Sequence, residues 1–147
     1  MRLVLGSDHA GFALKEAVKA LLADEGHEIA DVGTDSSERT DYPPIAAAAG
    51  RLVAAGEAER GVLMCGSGVG VAIAANKVDG VRAVNAHDPD EAEMARRHND
   101  ANVVTLSGGN VEPDAAHAIV RAFLSADFDG GRHAQRVEQI GEIEQTP

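Results

Sequence analysis

Hydrophobic positions along the chain alternate between two patterns. Short runs rich in β-formers are separated by longer stretches in which apolar residues recur every three or four positions. Residues 2–6 (RLVLG) read as a first strand. Residues 12–25 follow as a helix, with Leu14, Val18, Leu21 and Leu22 at helical spacing. Residues 28–32 form a second strand, and 33–44, rich in Asp, Ser, Thr, Gly and Pro, read as a loop. An Ala-rich helix over 45–55 leads to a third strand at 61–64 (GVLM), which is apolar throughout. A short helix over 69–76, a strand at 81–85, a helix over 89–97 and a fifth strand at 102–106 come next. Helices over 113–125 and 132–144 complete the chain, the first with Pro113 suited to its opening turn.

Repeated strand–helix units of this kind imply a parallel sheet covered on both faces. The expected fold is therefore α/β: a three-layer α/β/α sandwich, Rossmann-like, around a five-stranded parallel sheet. No internal repeat, low-complexity segment or linker interrupts the 147 residues, so residues 1–147 are expected to form one domain. That length can bury a core without disulfides, and the single cysteine, Cys65, allows none within the chain.

The formal net charge of -11 argues against a nucleic-acid partner, which would call for a basic face. Arg and His cluster in two places, Arg96–Arg97–His98 and Arg132–His133 with Arg136, and these are the candidate anion holders. No segment is long and apolar enough to span a bilayer, and the first residues lack the pattern of a secretory signal. The expected location is the cytoplasm. The six histidines show no H-x-x-x-H pair, so no metal site is expected.

In parallel sheets ligands gather beyond the carboxyl ends of the strands. That rule selects Gly6–Ser7–Asp8–His9, Cys65–Gly70 and Ser107–Asn110, and it draws in Arg97, His98 and Asn99 at the end of the helix before strand five. The strongest motif is Cys65-Gly66-Ser67-Gly68-Val69-Gly70. Its glycines let the backbone approach a ligand and aim several N–H groups one way, which suits a phosphate or a developing oxyanion. A cysteine there gains thiolate character; the alternative is a tight turn around an inert buried thiol. A Cys-dependent phosphatase loop needs Arg, and a dinucleotide fingerprint needs Gly, where Val71 stands, so both fail. Gly6 to Gly11 has the spacing of a nucleotide P-loop but carries Phe12-Ala13 in place of Lys-Ser/Thr. Asp8 is either a helix cap or a site residue. His98 is either a dipole-stabilised helix end or a general acid–base. Arg132 and Arg136, spaced i, i+4, form either a solvated basic face or a phosphate clamp.

The combined motifs resemble the type B ribose-5-phosphate isomerase family, which includes galactose-6-phosphate isomerases. The matching segments are Gly6–Gly11 (GSDHAG), Asp41–Pro43 (DYP), Cys65–Gly70 (CGSGVG), Ala75–Lys77 (ANK), Val81–Ala83 (VRA), His98–Val103 (HNDANV) and Gly130–His133 (GGRH), with Arg136 in register. The resemblance covers nearly the whole chain. It implies an aldose–ketose isomerase of a small phosphorylated sugar that works through an enediolate without metal or cofactor. Cys65 would be the base, and the amides from Gly66 through Gly68 and Val69 to Gly70 the oxyanion hole. Ser67, where many members have Thr, would move a proton between the two oxygens. His98 would open the sugar ring with help from Asp8, Asn99 would contact substrate, and His9, Arg132 and Arg136 would bind phosphate. It also implies a homodimer or tetramer with sites shared between subunits. The sequence departs from the pattern at Leu106-Ser107-Gly108-Gly109, where many members read L-G-x-R. The missing Arg points to a substrate that differs from ribose 5-phosphate in length or phosphate placement. Val71 stands where some members carry a Glu base, which favours Cys65 in that role. The rival readings are a sugar-phosphate sensor on the same fold and a thiol-based redox or phosphoryl-transfer enzyme. The intact Cys65–His98 pair speaks against the sensor, and the lack of a second Cys against the redox enzyme.

Overall fold

The computed structural model describes residues 1–147. Five strands, β1 (Arg2–Ser7), β2 (Glu28–Asp31), β3 (Arg60–Cys65), β4 (Ala83–Asn85) and β5 (Val103–Ser107), form one parallel sheet in the order β2-β1-β3-β5-β4. Six helices connect and cover them: α1 (Phe12–Asp24), α2 (Tyr42–Ala54), α3 (Val69–Ala75), α4 (Pro89–Asn99), α5 (Pro113–Ser125) and α6 (Arg132–Glu144). The expected five-stranded α/β architecture is observed. The order runs outward in both directions from β1 and β3, so the switch point lies between their carboxyl ends.

The side-chain alternation of the strands divides the core in two. Leu3, Leu5, Val62, Met64, Val104 and Leu106 face α1, α4 and α5, where Val18, Leu22, Ile119 and Phe123 are fully buried. Val4, Leu63, Cys65 and Val103 face α2 and α3, which contribute Ala46, Ala49, Val53, Val71 and Ala75. Small alanines on this second face let the helices lie close to the sheet, which explains how a core with so few aromatics closes.

Three boundaries differ from expectation for identifiable reasons. The loop after β2 ends early: α2 begins at Tyr42, because Pro43 and Pro44 sit in the first helical turn, where no amide donor is needed. Strand β4 contracts to Ala83–Asn85 at the sheet edge. Helix α4 runs on to Asn99 and stops at Asp100, whose φ of 47° is left-handed.

Beneath the carboxyl end of β2 lies a buried cation that the sequence pattern did not reveal. Lys15, on the inner face of α1, is fully buried, and its Nζ lies 2.8 and 2.6 Å from the two carboxylate oxygens of Asp31 and 3.1 Å from Glu16. Burial pushes the Asp31 carboxyl up, but the Lys15 and Lys19 ammonium groups and the Gly33 N–H outweigh it and hold the group below its ordinary value.

Helix α6 differs from the others: none of its residues is buried, and Ile140 and Ile143 stand 39% and 71% exposed. No helix is long and apolar enough to cross a membrane.

Candidate active site

The turn after β3 folds back over the end of β5, and its backbone geometry follows from its glycines. Gly68 has φ 79°, a left-handed conformation, and a Cβ there would fall 2.4 Å from Asn85 Oδ1. At Gly70 a Cβ would strike the Tyr42 ring at 2.5 Å, so the phenol closes directly over the first turn of α3. The result is a cavity of about 400 Å³ lined by Asp8, Tyr42, Cys65, Gly66, Ser67, Val69, Gly70 and Ile73.

Within it, Cys65 is 4% exposed, and its Sγ accepts a hydrogen bond from the Gly68 N–H at 3.2 Å. The Ser67 Oγ accepts from the Val69 N–H at 3.2 Å, which leaves its own proton available to another oxygen. The N–H groups of Gly66, Ser67 and Gly70 make no hydrogen bond inside the chain. A thiol thus shares one cavity with backbone amides left unpaired in the chain, a set of donors that can hold an oxyanion.

Asp8 is not the cap of α1, whose N-cap is Gly11, but it holds the turn that leads into the helix. One carboxylate oxygen accepts the N–H groups of Ala10 at 3.0 Å and Gly11 at 3.1 Å, fixing the turn into α1, while the side chain lines the cavity. His9 turns toward the 33–41 loop, its Nδ1 3.2 Å from both the N and the O of Thr40. Tyr42 belongs to this site. Its Asp-Tyr-Pro motif was visible in the sequence, but a phenol on an expected loop gave no sign that it would cover a glycine on the far side of β3.

The remaining expected site residues lie elsewhere, which for His98 and Asn99 corrects the reading that grouped them with the strand carboxyl ends. Helix α4 runs antiparallel to the strands, so its last residues, His98 and Asn99, sit at the amino edge, where β5 begins. One strand of five residues spans roughly 17 Å. His98, Asn99, Arg132 and Arg136 are absent from the Cys65 cavity. Instead, the His98 and His133 rings stack at 4.2 Å, 11° from parallel. The loop before α6 is tied beneath them: Arg97 Nε donates to Asp129 Oδ1 at 3.1 Å, and the Asp129 N–H to the Arg97 carbonyl at 2.9 Å. Burial first, and then the charges of His98, Arg132 and Arg136, hold the His133 imidazole below its ordinary value. His98, Asp129 and His133 bring potential ligand atoms within 4.8 Å of one another, a cluster that no sequence spacing announced. Face-to-face rings direct their lone pairs along parallel planes rather than onto one point, and Arg97, Arg132 and Arg136 surround them, so the group suits an anion better than a cation. Asn99 lines a separate cavity of about 500 Å³ with Arg82, Ile140 and Ile143, under α6. This larger cavity contains no nucleophile.

A parallel sheet carrying a thiol and an amide cradle at its switch point, with a second cationic cluster on α4 and α6, defines an α/β enzyme acting on a small anionic substrate. Comparison with known proteins makes this specific. Residues 3–140 match the family model described as ribose/galactose isomerase, and the chain belongs to that family. It is 49% identical over 144 residues, 98% of this chain and 97% of its relative, to ribose-5-phosphate isomerase B of Escherichia coli. It is 44% identical over 132 residues, 88% and 87% of the two chains, to D-erythrulose-4-phosphate isomerase 2 of Mycolicibacterium smegmatis. The fold superposes on ribose-5-phosphate isomerase B of Clostridium thermocellum with a TM-score of 0.97 at 45% identity, covering 99% of this chain and 98% of the other. The protein is a sugar-phosphate aldose–ketose isomerase.

Proposed function

We propose that the substrate pair is ribose 5-phosphate and ribulose 5-phosphate, and that Cys65 is the base. The observation that carries this reading is the sulfur of Cys65 set among the unpaired amides of Gly66, Ser67 and Gly70. A proton next to a carbonyl is too weakly acidic to leave unless the enediolate oxygen is stabilised, and preorganised amides supply that stabilisation at roughly 3–4 kcal/mol per donor. The thiolate takes the proton from C2 of the open-chain aldose and returns it to C1. Ser67, with its hydroxyl proton free, carries a proton between O1 and O2. His98 opens the ring, assisted by Asp8, and Asn99 holds the sugar. His9, Arg132 and Arg136 bind the phosphate, whose binding energy fixes the reacting carbons.

Because His98 and Cys65 lie at opposite edges of one sheet, a second copy of the chain brings His98, Arg132 and Arg136 to the Cys65 cavity in a homodimer. The apolar face of α6, left uncovered in one chain, supports the same assembly.

One observation favours a shorter substrate: Gly109 offers no side chain where an Arg would reach the phosphate, and a relative of similar identity is a D-erythrulose-4-phosphate isomerase. Steady-state isomerisation of four-, five- and six-carbon aldose and ketose phosphates decides between them. The expected result is the highest kcat/KM on ribose 5-phosphate. A clear preference for a four-carbon phosphate would replace it with the second reading.

A further inference from the structure

The cradle's amides point inward because its carbonyls are taken from behind. Four successive carbonyls are each held by a donor from the ends of β4 and β5. The Cys65 carbonyl accepts from Gly108 N–H at 2.8 Å, and that of Gly66 from Ser107 Oγ at 2.7 Å and Gly109 N–H at 3.2 Å. The Ser67 carbonyl accepts from Asn85 Nδ2 at 3.4 Å, and that of Gly68 from Thr105 Oγ1 at 2.7 Å. Asn110 Nδ2 in turn donates to Ser107 Oγ at 2.9 Å, which orients that hydroxyl's proton toward Gly66.

Thr105 and Ser107 share with Val103 the face of β5 that looks toward α2 and α3, and they are 0% and 6% exposed. A fully buried strand position of this size is ordinarily filled by Val, which has the shape of Thr and no polar atom to satisfy. Two consecutive inward hydroxyls need a reason beyond packing. The planar trans peptide supplies one: holding the carbonyl of one residue fixes the N–H of the next in the opposite direction. Ser107, by holding the Gly66 carbonyl, aims the Ser67 N–H into the cavity. Thr105, by holding the Gly68 carbonyl, aims the Val69 N–H at Ser67 Oγ, the bond that orients the Ser67 hydroxyl.

We propose that Thr105 and Ser107 are positioning residues for the isomerisation: Ser107 sets the direction of an oxyanion-hole amide, and Thr105 sets the hydroxyl of the proton-carrying Ser67. Neither touches the substrate. The proposal rests on Cys65 and the cradle being the reacting centre.

The test compares Ser107→Ala, Thr105→Val and Thr105→Ser with the wild type, all confirmed folded by circular dichroism and by elution volume. Each of the first two removes a hydroxyl that holds a cradle carbonyl, together with its second bond, to Asn110 for Ser107 and to Asn85 for Thr105, and kcat is expected to fall roughly tenfold with KM changed less than about twofold. Thr105→Ser, which keeps the hydroxyl, is expected to restore kcat to within about threefold of wild type. Unchanged kcat in folded Ser107→Ala and Thr105→Val, with only the melting temperature lowered, would make both residues structural and overturn the proposal. A loss expressed in KM alone would overturn it equally. The rate of Cys65 alkylation by iodoacetamide is read in parallel, since the Gly68 N–H on the sulfur belongs to the same clamp. If the wild type turns over no sugar phosphate, the isomerase assignment of this site fails. The clamp is then judged on alkylation: a change of about threefold or more in the two variants sustains it, and wild-type rates overturn it.

Discussion

The two edges of the sheet are built on different principles. At the carboxyl edge the cradle's carbonyls are held, Gly68 and Gly70 permit contacts that any Cβ would block, and the ion pair of buried Lys15 with the more exposed Asp31 anchors the end of β2 nearby. At the amino edge the functional groups stand on surfaces. His98 is half-buried at a helix end, and Arg132 and Arg136 are exposed on α6, which buries nothing of its own. The contrast teaches that, on the proposed roles, one chain would complete the Cys65 half of the site and leave the His98, Arg132 and Arg136 half to a second copy.

The sharpest way to break this comparison is to disable each edge separately. Cys65→Ala and His98→Asn are each expected to lower kcat by about 10²–10⁴-fold. When the two inactive proteins are unfolded together and refolded as a mixture, half the dimers are hybrids, and each hybrid regains one site with both residues intact. Activity should return to roughly a quarter of wild type. No recovery would mean that each site draws on one chain only.

Next in size is the anchor. Asp31→Asn leaves the buried Lys15 ammonium with Glu16 alone, and urea unfolding is expected to show a loss of about 2 kcal/mol, between a surface ion pair and a fully buried one because only the lysine is buried. The kcat of the folded fraction should stay at the wild-type value, since Asp31 lines no part of the Cys65 cavity. A loss below about 1 kcal/mol would show the pair to be no stronger than a surface ion pair.

The smallest effects are in pH. Asp31 and Glu16 have folded pKa values below their unfolded ones. Their contribution to stability is therefore complete above the unfolded values and declines as pH falls below about 4 through the depressed ones. Glu16 is lowered first by its bond to Lys19. His133 also titrates lower in the folded state, so the amino edge loses stability earlier, as pH falls from about 6.5 through the lowered value. Urea midpoints measured from pH 8 to pH 3 should show both declines. Asp31→Asn should flatten the lower one and His133→Asn the upper. Curves identical to wild type would remove those groups from the account.

What could be read from the sequence was what the sequence holds locally. Strand and helix periods gave the sheet, because both faces of β1, β3 and β5 are buried and the helices carry regular apolar stripes. The Cys65–Gly70 turn was legible because its glycines, cysteine and serine are neighbours in the chain. His98 was misplaced for a physical reason: its motif precedes a strand, and a residue that precedes a parallel strand lies at the wrong end of it. Lys15 looked like any solvated lysine of an amphipathic helix, since its partner Asp31 is sixteen residues away. Thr105 looked like an ordinary strand residue and Ser107 stood out only as a position beyond strand five, because the carbonyls they hold lie 37 and 41 positions earlier. Long-range pairing leaves no periodic trace.

The opposite placement of Cys65 and His98 has a consequence for how such an enzyme responds to scarcity. On the proposed assembly a solitary subunit has no whole reaction centre, so specific activity becomes a measure of how often subunits meet. Below the dissociation constant, halving the enzyme concentration would cut the rate fourfold, and an agent wedged under α6 would silence two centres with one molecule.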